Sequence, residues 1–364
     1  MKFKTTRSVF LDALKSVQNV VPAKASAPVI QNVLIEAENG RIEMRTTDID
    51  ISVKVSFSCE VIEEGKTTLP VKYLFNVVQK VAEGDIDIEV DSGDNAVILA
   101  SSAKIRLAGI SSSLFPPLPE EDDSFIYTVP SRVLRDMLKK TVYAASQDDT
   151  RRNLKSVLMS FKNGKLTLVA TDGRRLALVE NEVEFPENES VDIVLPLKTA
   201  TELLRSLSEE GEVKIKVQKT QISFKTGNIQ LYSKLISENY PNYSQVIPEE
   251  TGEKIKIDRQ QLIEAVERAS VLTLDELHSV KLIFDSNRLV IMSASTDIGD
   301  AKDEIPVKYC GEKIEIMFNP NYLLDPLKVI EDDEVTINLN SGHKPAVIKC
   351  GVPFIYVLMP LRVN

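Results

Sequence analysis

Alternating apolar and polar residues form the same hairpin pattern three times along the chain. The three segments cover residues 33–42, 157–166 and 280–289, and they begin 124 and 123 residues apart. Their turns lie at the same distance from the first valine and read Asn39-Gly40, Asn163-Gly164 and Asp285-Ser286-Asn287. Asn-Gly between alternating apolar residues is typical of a tight β-hairpin. A period of this length is the size of a domain and exceeds the roughly 20–50 residues of solenoid repeats, so the sequence predicts three copies of one domain.

A helical pattern opens each copy, as in Phe10, Leu14 and Val17, where apolar residues recur at helical spacing. A second helix follows a short strand in each copy. The six predicted helices cover residues 7–20, 71–82, 131–144, 197–207, 258–269 and 320–331. Strands with strict alternation, such as 86–90 and 213–217, close each copy. Two helices combined with many strands predict an α+β fold in which helices pack on antiparallel sheets.

Two segments rich in proline and acidic residues, 116–123 and 248–253, separate the copies. Such segments hold neither a hydrogen-bonded ladder nor a core, which is typical of exposed joints between domains. We therefore predict three domains at residues 1–122, 123–250 and 251–364.

The net charge of −10 by itself argues against nucleic acid as a partner. Its distribution changes this picture, because the six predicted helices together carry +5 and the rest of the chain carries −15. The excess comes from the first two domains. For any single helix the alternative is an ordinary solvated face. The pooled difference favours a basic helical surface in the first two domains. A surface that met DNA only through backbone phosphates would bind weakly and in a salt-sensitive manner.

Cysteine usage and hydropathy predict a cytoplasmic protein. The three cysteines, Cys59, Cys310 and Cys350, are odd in number and far apart, which argues against a disulfide framework. No segment approaches the roughly 18 consecutive apolar residues of a membrane span. Charged residues near the start interrupt any apolar region that a secretory signal would need.

Motifs for catalysis and metal binding are absent. The sequence has neither a G-x-x-x-x-G-K nor a G-x-G-x-x-G phosphate-binding motif, and no Cys or His pair at zinc-ligand spacing. The acidic run 85–91 has Ala96 where a calcium loop needs glutamate, so we interpret the run as a strand. Asp48 and Asp172 are candidate paired carboxylates for hydrolysis. Their recurrence at equivalent points of the repeat favours turn capping instead. We expect no catalytic site, no metal and no cofactor.

Four motifs carry a resemblance to a known family. They are Met1-Lys2-Phe3, Ala170-Thr171-Asp172-Gly173-Arg174-Arg175-Leu176-Ala177, Tyr240-Pro241-Asn242-Tyr243 and Tyr356-Val357-Leu358-Met359-Pro360-Leu361-Arg362. In this order, on a threefold repeat, they make the whole chain resemble the bacterial DNA polymerase III beta subunit, the beta sliding clamp. The resemblance implies a head-to-tail homodimer whose six domains form a ring, with helices lining the hole and sheets forming the outer wall.

The resemblance also implies a groove between the second and third domains that binds short peptides of partner proteins. The matching positions are Leu154, Thr171, Gly173, Arg175, Leu176, Pro241, Val246, Val357, Leu358, Met359, Pro360 and Leu361. An apolar pocket with methionine and leucine walls suits one or two hydrophobic side chains. The alternative for the last of these residues is simply the final strand of the fold.

Two further surfaces follow from the resemblance. The DNA-facing candidates are Arg7, Lys24, Lys72, Lys80, Arg151, Lys198 and Arg205. The dimer contact would join Ile105 and Leu107 on an edge strand of one chain to Val271 and Leu272 at a helix end of the other. The alternative for these four residues is an ordinary place in the core.

We therefore expect a non-enzymatic processivity factor that encircles double-stranded DNA and tethers the alpha subunit of the replicative polymerase. The other expected partners are the clamp loader, to which nucleotide hydrolysis would belong, and repair and translesion polymerases. Two alternatives stay open: a clamp-like paralogue such as a drug-resistance copy, and a carboxylate-dependent hydrolase built on Asp48 and Asp172.

Overall fold

The computed structural model describes residues 1–25, 27–117, 126–186, 189–248, 252–273, 278–295, 299–339, 344–351 and 353–361. The chain forms two compact units. Unit 1 comprises Met1–Arg135 and Thr201–Leu235, and unit 2 comprises Asp136–Ala200 and Ile236–Asn364.

Unit 1 contains two antiparallel sheets. Its strands are β1 (Lys2–Thr6), β2 (Asn32–Glu38), β3 (Arg41–Thr47), β4 (Ile51–Ser58), β5 (Glu60–Glu63), β6 (Gly65–Pro70), β7 (Asp85–Val90), β8 (Asn95–Ala100), β9 (Ala103–Ala108), β10 (Tyr127–Pro130), β15 (Glu212–Val217), β16 (Gln221–Thr226) and β17 (Ile229–Lys234). One sheet has the order β5-β1-β7-β8-β9, and the other has the order β10-β15-β16-β17-β4-β3-β2-β6.

Unit 2 also contains two antiparallel sheets. Its strands are β11 (Ser156–Lys162), β12 (Lys165–Thr171), β13 (Arg175–Glu182), β14 (Val191–Pro196), β18 (Glu253–Asp258), β19 (Val280–Asp285), β20 (Arg288–Ser295), β21 (Gly299–Pro306), β22 (Ile314–Phe318), β23 (Glu334–Leu339), β24 (Ala346–Lys349) and β25 (Phe354–Leu358). The orders are β14-β11-β12-β13-β25-β24-β23-β18 and β21-β20-β19-β22.

Six α-helices accompany these sheets within the described residues. They are α1 (Arg7–Val17), α2 (Val71–Lys80), α3 (Ser131–Lys139), α4 (Leu197–Ser206), α5 (Arg259–Ser270) and α6 (Pro320–Val329). All six predicted helices are confirmed, and the predicted α+β fold is confirmed with them. Five helices end earlier than predicted, whereas α5 begins and ends one residue later. The predicted helix 131–144 ends at Lys139 and is followed by a short 3-10 turn, Val142–Ala144. Pro326 lies buried inside α6 without ending it.

Helical spacing of apolar side chains explains how the helices pack. Phe10, Leu14 and Val17 are fully buried along one side of α1, which packs on α2 and β4. Leu262, Val266 and Ala269 do the same on α5, which packs on α6, β20 and β21. Burying such a stripe supplies most of the stability of helices this short.

The three repeated hairpins are present as predicted. Asn39 and Gly40 have φ angles of 50° and 72°, and Asn163 and Gly164 have 54° and 70°. In the third copy Ser286 and Asn287 have φ angles of 45° and 63°. Positive φ at both central residues is the geometry of a type I′ turn, so the turn is kept even where the Asn-Gly pair is not.

Sheet pairing joins neighbouring copies of the repeat. In unit 1, β17 from the second copy pairs antiparallel with β4 from the first. In unit 2, β25 from the third copy pairs antiparallel with β13 from the second. Each junction therefore has the same strand arrangement. The repeat boundaries at 122/123 and 250/251 stay a prediction, because residues 118–125 and 249–251 lie outside the described ones.

The acidic run 85–91 forms β7, in which Ile86, Ile88 and Val90 are buried, so its interpretation as a strand is confirmed. Among the described residues, no group of His, Cys, Asp or Glu side chains is arranged to hold a metal ion. None of the described helices is long and apolar enough to span a membrane.

Candidate functional site

One face of the β13–β25 junction carries a compact apolar cluster. Its buried members are Leu158, Val169, Leu176, Leu178 and Val357. Opposed residues of an antiparallel pair point to the same face, and Leu176 is opposed to Val357 across the junction. Tyr240, Tyr243 and Ile247 pack against this cluster and stay partly exposed. The chain between β17 and β18 thus covers the sheet incompletely.

Apolar side chains next to this cluster are open to solvent. Val246 is 51% exposed and Met359 is 43% exposed, while Leu154, Pro360 and Leu361 are half-buried and Pro241 is exposed. Backbone hydrogen bonds fix the end of the chain here: Met359 N donates to Arg174 O at 2.9 Å, and Leu361 N donates to Met317 O at 2.8 Å. We call this surface, from Leu154 to Leu361, the groove.

A tight turn forms one wall of the groove. Thr171 Oγ1 donates to Arg175 O at 2.6 Å and accepts from Gly173 N at 3.1 Å. Asp172 Oδ1 accepts from the backbone N–H groups of Arg174 and Arg175. Gly173 has a φ of 87°, a left-handed conformation that glycine adopts without a steric cost.

Arg175 and Leu358, both predicted for the groove, are opposed to each other and lie on the other face of the sheet. Leu358 is fully buried there. The Arg175 side chain is 9% exposed and forms ion pairs with Asp172, at 3.1 Å between Nε and Oδ2, and with Asp325 on α6. Its Nη2 donates to the Tyr143 carbonyl at 2.6 Å. The predicted groove set therefore divides into residues on the partly open face of the sheet and residues that hold the junction on the other face.

Aromatic rings complete the surroundings of Arg175. The guanidinium lies 4.2 Å from the ring centre of Tyr322 and 5.7 Å from that of Tyr143, both in the range of cation–π attraction. The Tyr356 hydroxyl donates to the Tyr322 carbonyl at 2.7 Å. Burial raises the pKa values of Tyr143 and Tyr356, so both phenols stay neutral and the charges at this place are those of Arg175, Asp172 and Asp325.

The predicted dimer residues lie on exposed edges rather than in the core. Ile105 and Leu107 are half-buried on β9, and within the described residues β9 pairs only with β8. Val271 directly follows α5 and is 68% exposed, while Leu272 is half-buried. Their apolar surface is open in the single chain.

The predicted DNA-facing side chains are mostly exposed. Lys24, Lys72, Lys80, Arg151, Lys198 and Arg205 all belong to this group. Arg205 pairs with Glu202 one turn earlier on α4. Arg7 differs, because its guanidinium donates to the carbonyls of Val78 and Gln79 and pairs with Glu83. Its charge already stabilises the carboxyl end of α2.

Asp48 and Asp172 cap equivalent turns. Asp48 Oδ1 accepts from the backbone N–H groups of Asp50 and Ile51, as Asp172 does from the residues that follow it. Both carboxylates therefore accept hydrogen bonds from backbone N–H groups of their own turns, which is the turn-capping role predicted from the repeat.

Sequence reasoning missed the residues that hold Arg175. Tyr143, Tyr322 and Asp325 come from a 3-10 turn and from α6, and Asp325 lies 150 residues from Arg175 along the chain. No local pattern signals such a contact. Tyr240 and Tyr243 of the 240–243 motif pack against the apolar cluster. These two aromatic residues are the feature of the sequence from which that packing could have been predicted.

Comparison with known proteins gives a consistent result. Three family models match consecutively: the DNA polymerase III beta subunit N-terminal domain at residues 1–119, the central domain at 128–242 and the C-terminal domain at 244–362. The beta sliding clamp of Chlamydia muridarum is 32% identical over 364 residues, covering both chains fully. That of Pseudomonas aeruginosa is 30% identical over 368 residues, again with full coverage of both.

Solved structures agree. A sliding clamp from Bartonella birtlesii bound to griselimycin has a TM-score of 0.94 at 32% identity, and one from Pseudomonas aeruginosa bound to griselimycin has 0.93 at 30%. Both comparisons cover 100% of each chain. The fold is thus that of a DNA clamp built from three tandem domains.

The chain belongs to the DNA polymerase III beta subunit family, the beta sliding clamps. Its function is that of a DNA sliding clamp, and the family is one of non-catalytic processivity factors. The matched models and relatives favour neither the hydrolase nor the paralogue alternative.

Proposed function

We propose that two chains associate head to tail into a closed ring around duplex DNA and act in the cytoplasm as an accessory subunit of the DNA polymerase III holoenzyme. Each chain contributes the three domains 1–122, 123–250 and 251–364. The ring holds DNA by topology and needs no cofactor of its own.

The observation that carries this proposal is the pair of open edges at β9 and β21. In the repeat β9 corresponds to β17 and β25, while β21 corresponds to β4 and β13. The pairs β17–β4 and β25–β13 close the two junctions within the chain. Within the described residues β9 and β21 have no such partner, and open sheet edges invite pairing with another chain. We infer that β9 of one chain pairs with β21 of the next.

The burial pattern supports this pairing. Ile105 and Leu107 occupy the repeat positions of Tyr356 and Leu358, which are fully buried at the β13–β25 junction. Val271 follows the start of α5 by the same number of residues as Tyr143 follows the start of α3. The Tyr143 and Tyr356 rings lie 6.0 Å apart, so the equivalent contact joins Val271 to Ile105 of the partner chain, with Leu272 and Leu107 beside them.

Charge does not decide this pairing. The register that the repeat predicts places the exposed Arg106 of β9 opposite Asp300 of β21, which is favourable, but it also places Lys104 opposite Lys302, which is not. The apolar contact therefore carries the preference for pairing β9 with β21.

For DNA we propose the exposed cations Lys24, Lys72, Lys80, Arg151, Lys198 and Arg205, with Arg7 contributing through the helix end that it stabilises. These residues would contact phosphates and would carry no sequence preference. The resulting attraction is weak and salt-sensitive, which suits a protein that slides.

For partner proteins we propose the groove. Val246, Met359 and Pro241 offer exposed apolar surface beside the buried cluster, and Leu154, Leu176 and Val357 extend it. The exposed Arg174 makes the rim basic, since Arg151 beside it pairs with Asp148 at 3.9 Å, and a basic rim favours peptides with acidic flanks. The proposed occupants are segments of the polymerase alpha subunit, the clamp loader, and repair and translesion polymerases. Tethering through them makes rebinding effectively intramolecular.

A topological assay tests the ring. The protein is loaded by its clamp loader with ATP onto nicked circular DNA, and bound protein is separated by gel filtration before and after a restriction enzyme linearises the circle. We expect co-elution with circular DNA and release on linearisation. Equal retention on circular and linear DNA would mean that the protein grips DNA without enclosing it.

A further inference from the structure

The β17–β4 junction of unit 1 contains a second cleft at the repeat position of the groove. Its volume is about 400 Å³, and it lies between the end of β3, the start of β4, the end of β17 and residues 116–117. Pockets for small ligands and side chains begin at roughly this size. We call it the β4–β17 cleft.

The two sites share one local structure. Thr47 Oγ1 accepts from Ile49 N at 3.0 Å and Asp48 Oδ1 accepts from Ile51 N at 2.8 Å, which repeats the Thr171, Asp172 and Gly173 turn. Ile49 has a φ of 83° where Gly173 has 87°. In the repeat, Pro116 of the first copy corresponds to Pro241 of the second, which lies 125 residues later. In the same way, Tyr232 of the cleft corresponds to Val357 of the groove. The cleft is therefore built from the same elements as the groove.

Ile49 distinguishes the cleft. It is the one β-branched residue with a positive φ among those described, and its side chain is 58% exposed. Glycine would hold this turn without strain, as it does in the groove. A strained backbone that presents a large apolar side chain to solvent points to a ligand contact at that side chain.

Besides Ile49, the lining consists of two prolines, Tyr232, one ion pair and four neutral polar residues, which are Thr47, Ser52, Gln221 and Ser233. Pro116 and Pro117 line one side and offer apolar surface without backbone N–H donors. Tyr232 is nearly buried, and burial raises the pKa of its hydroxyl to about 12, so the ring adds a neutral wall. At the rim Lys234 Nζ lies 3.0 Å from Asp50 Oδ1, and both groups are exposed. The rim is thus electrically balanced, unlike the basic rim of the groove.

We propose that the β4–β17 cleft is a second peptide-binding site, selective for an uncharged extended segment of another protein that inserts one aromatic or aliphatic side chain between Ile49, Pro116 and Tyr232. The proposal rests on the proposed function of the groove, because the repeat relates the two sites. Because the charges at the two rims differ, we expect the groove to select peptides with acidic flanks and the cleft to select uncharged peptides.

Methyl NMR on the full-length protein locates the binding. With Ile δ1 methyls labelled, Ile49 reports on the cleft and Ile247 reports on the groove. The probes are the capped pentapeptide Ser-Ala-Phe-Ser-Ala, its Phe-to-Ala analogue, and a version with aspartate in place of both serines. We expect the Phe peptide to shift Ile49 in a saturable manner, the Ala analogue to shift neither methyl, and the acidic version to prefer Ile247.

Two variants separate the cleft from the groove. Ile49→Gly should weaken binding of the fluorescein-labelled Phe peptide at least tenfold, measured by anisotropy, while the urea midpoint stays unchanged or rises because strain is relieved. Met359→Ala, in the groove, should leave the Ile49 shift unchanged and weaken the acidic peptide.

An unshifted Ile49 methyl, or equal shifts with the Phe and Ala peptides, would overturn the cleft proposal. Unshifted Ile247 with all probes would count against the groove instead, so the two failures are distinguishable. A fall in the urea midpoint of Ile49→Gly together with unchanged affinity would show that Ile49 serves only the fold and would also overturn the cleft proposal.

Discussion

At the scale of single residues, the neighbours Arg174 and Arg175 have opposite environments. Arg174 is exposed at the groove rim. Arg175 joins Asp172 in its own turn, Asp325 on α6 and the Tyr143 carbonyl, so one side chain connects elements from the second and third copies. A guanidinium suits this place because it donates in several directions within one plane. Successive residues of an extended chain point to opposite sides, so Arg174 and Arg175 face opposite ways where β13 begins.

Arg175→Met tests this assignment. Methionine keeps much of the volume but removes the cation, which leaves the Asp172 and Asp325 carboxylates without their partner. Removing one member of a buried ion pair costs about 3 kcal/mol in the free energy of unfolding. We expect a decrease of this size in urea denaturation and weaker binding of groove peptides. Arg174→Met is the matched control and should change the free energy of unfolding by less than about 0.5 kcal/mol. Equal decreases in the free energy of unfolding for the two substitutions would contradict the assignment.

At the scale of elements, sequence periodicity predicted the helices and hairpins, which form between residues close together in the chain. The six helices follow from apolar spacing and the three hairpins from their turns, since both depend on residues close in sequence. The junctions do not, because Ile229 pairs with Val55 across more than a hundred intervening residues and alternation says nothing about a strand's neighbour. The same limit applied to the groove: its residues came from the resemblance, whereas the division between Leu176 on one face and Arg175 on the other required the register of β13 and β25.

The cationic helix surface yields a prediction at this scale. Lys198→Glu with Arg205→Glu, both exposed on α4, should shorten the lifetime of the loaded clamp on circular DNA at low salt, and the difference from the unchanged protein should narrow at higher salt, where charges are screened. Removing one cation from a phosphate should also reduce the slope of log affinity against log salt by about 0.9. The measurement is the retained fraction after gel filtration at two salt concentrations.

The control for this pair introduces the same change in charge on strands. Lys165→Glu with Lys214→Glu alters exposed residues of β12 and β15 and should leave retention unchanged. If the strand pair impaired retention as much as the helix pair, net charge rather than the helical surface would determine DNA contact.

At the scale of the whole molecule, the repeat fixes how copies can join. Each junction pairs the last strand of one copy with the equivalent outer strand of the copy before it, and the third copy has β21 unpaired on its outer side within the described residues. A contact between unlike ends of identical chains closes a ring when the rotation between copies permits, and otherwise grows a filament. The two junctions within the chain pair equivalent strands, β17 with β4 and β25 with β13. Pairing of β9 with β21 of another chain would be a third junction of the same kind.

The register of that junction is set by the repeat. Leu231 is opposed to Val53 and Tyr356 to Ala177. The repeat equivalents of these pairs are Ile105 and Ala301, which are therefore expected to face each other across two chains. Directly opposed residues of an antiparallel pair have Cα atoms about 4.5–5.5 Å apart, within the span of a disulfide.

Cysteine cross-linking reads this register directly. In a chain with Cys59, Cys310 and Cys350 replaced by serine, Ile105→Cys with Ala301→Cys should convert the 40.6 kDa chain into a covalent dimer under mild oxidation, seen on a non-reducing gel. Ile105→Cys with Asp303→Cys is displaced by two residues and should cross-link poorly, since diagonal neighbours lie about 7–8 Å apart. Ile105→Cys alone should stay monomeric on the gel, because unlike ends meet and no β9 faces another β9. Efficient cross-linking of that single variant would instead establish pairing of like edges, and the head-to-tail ring would have to be abandoned.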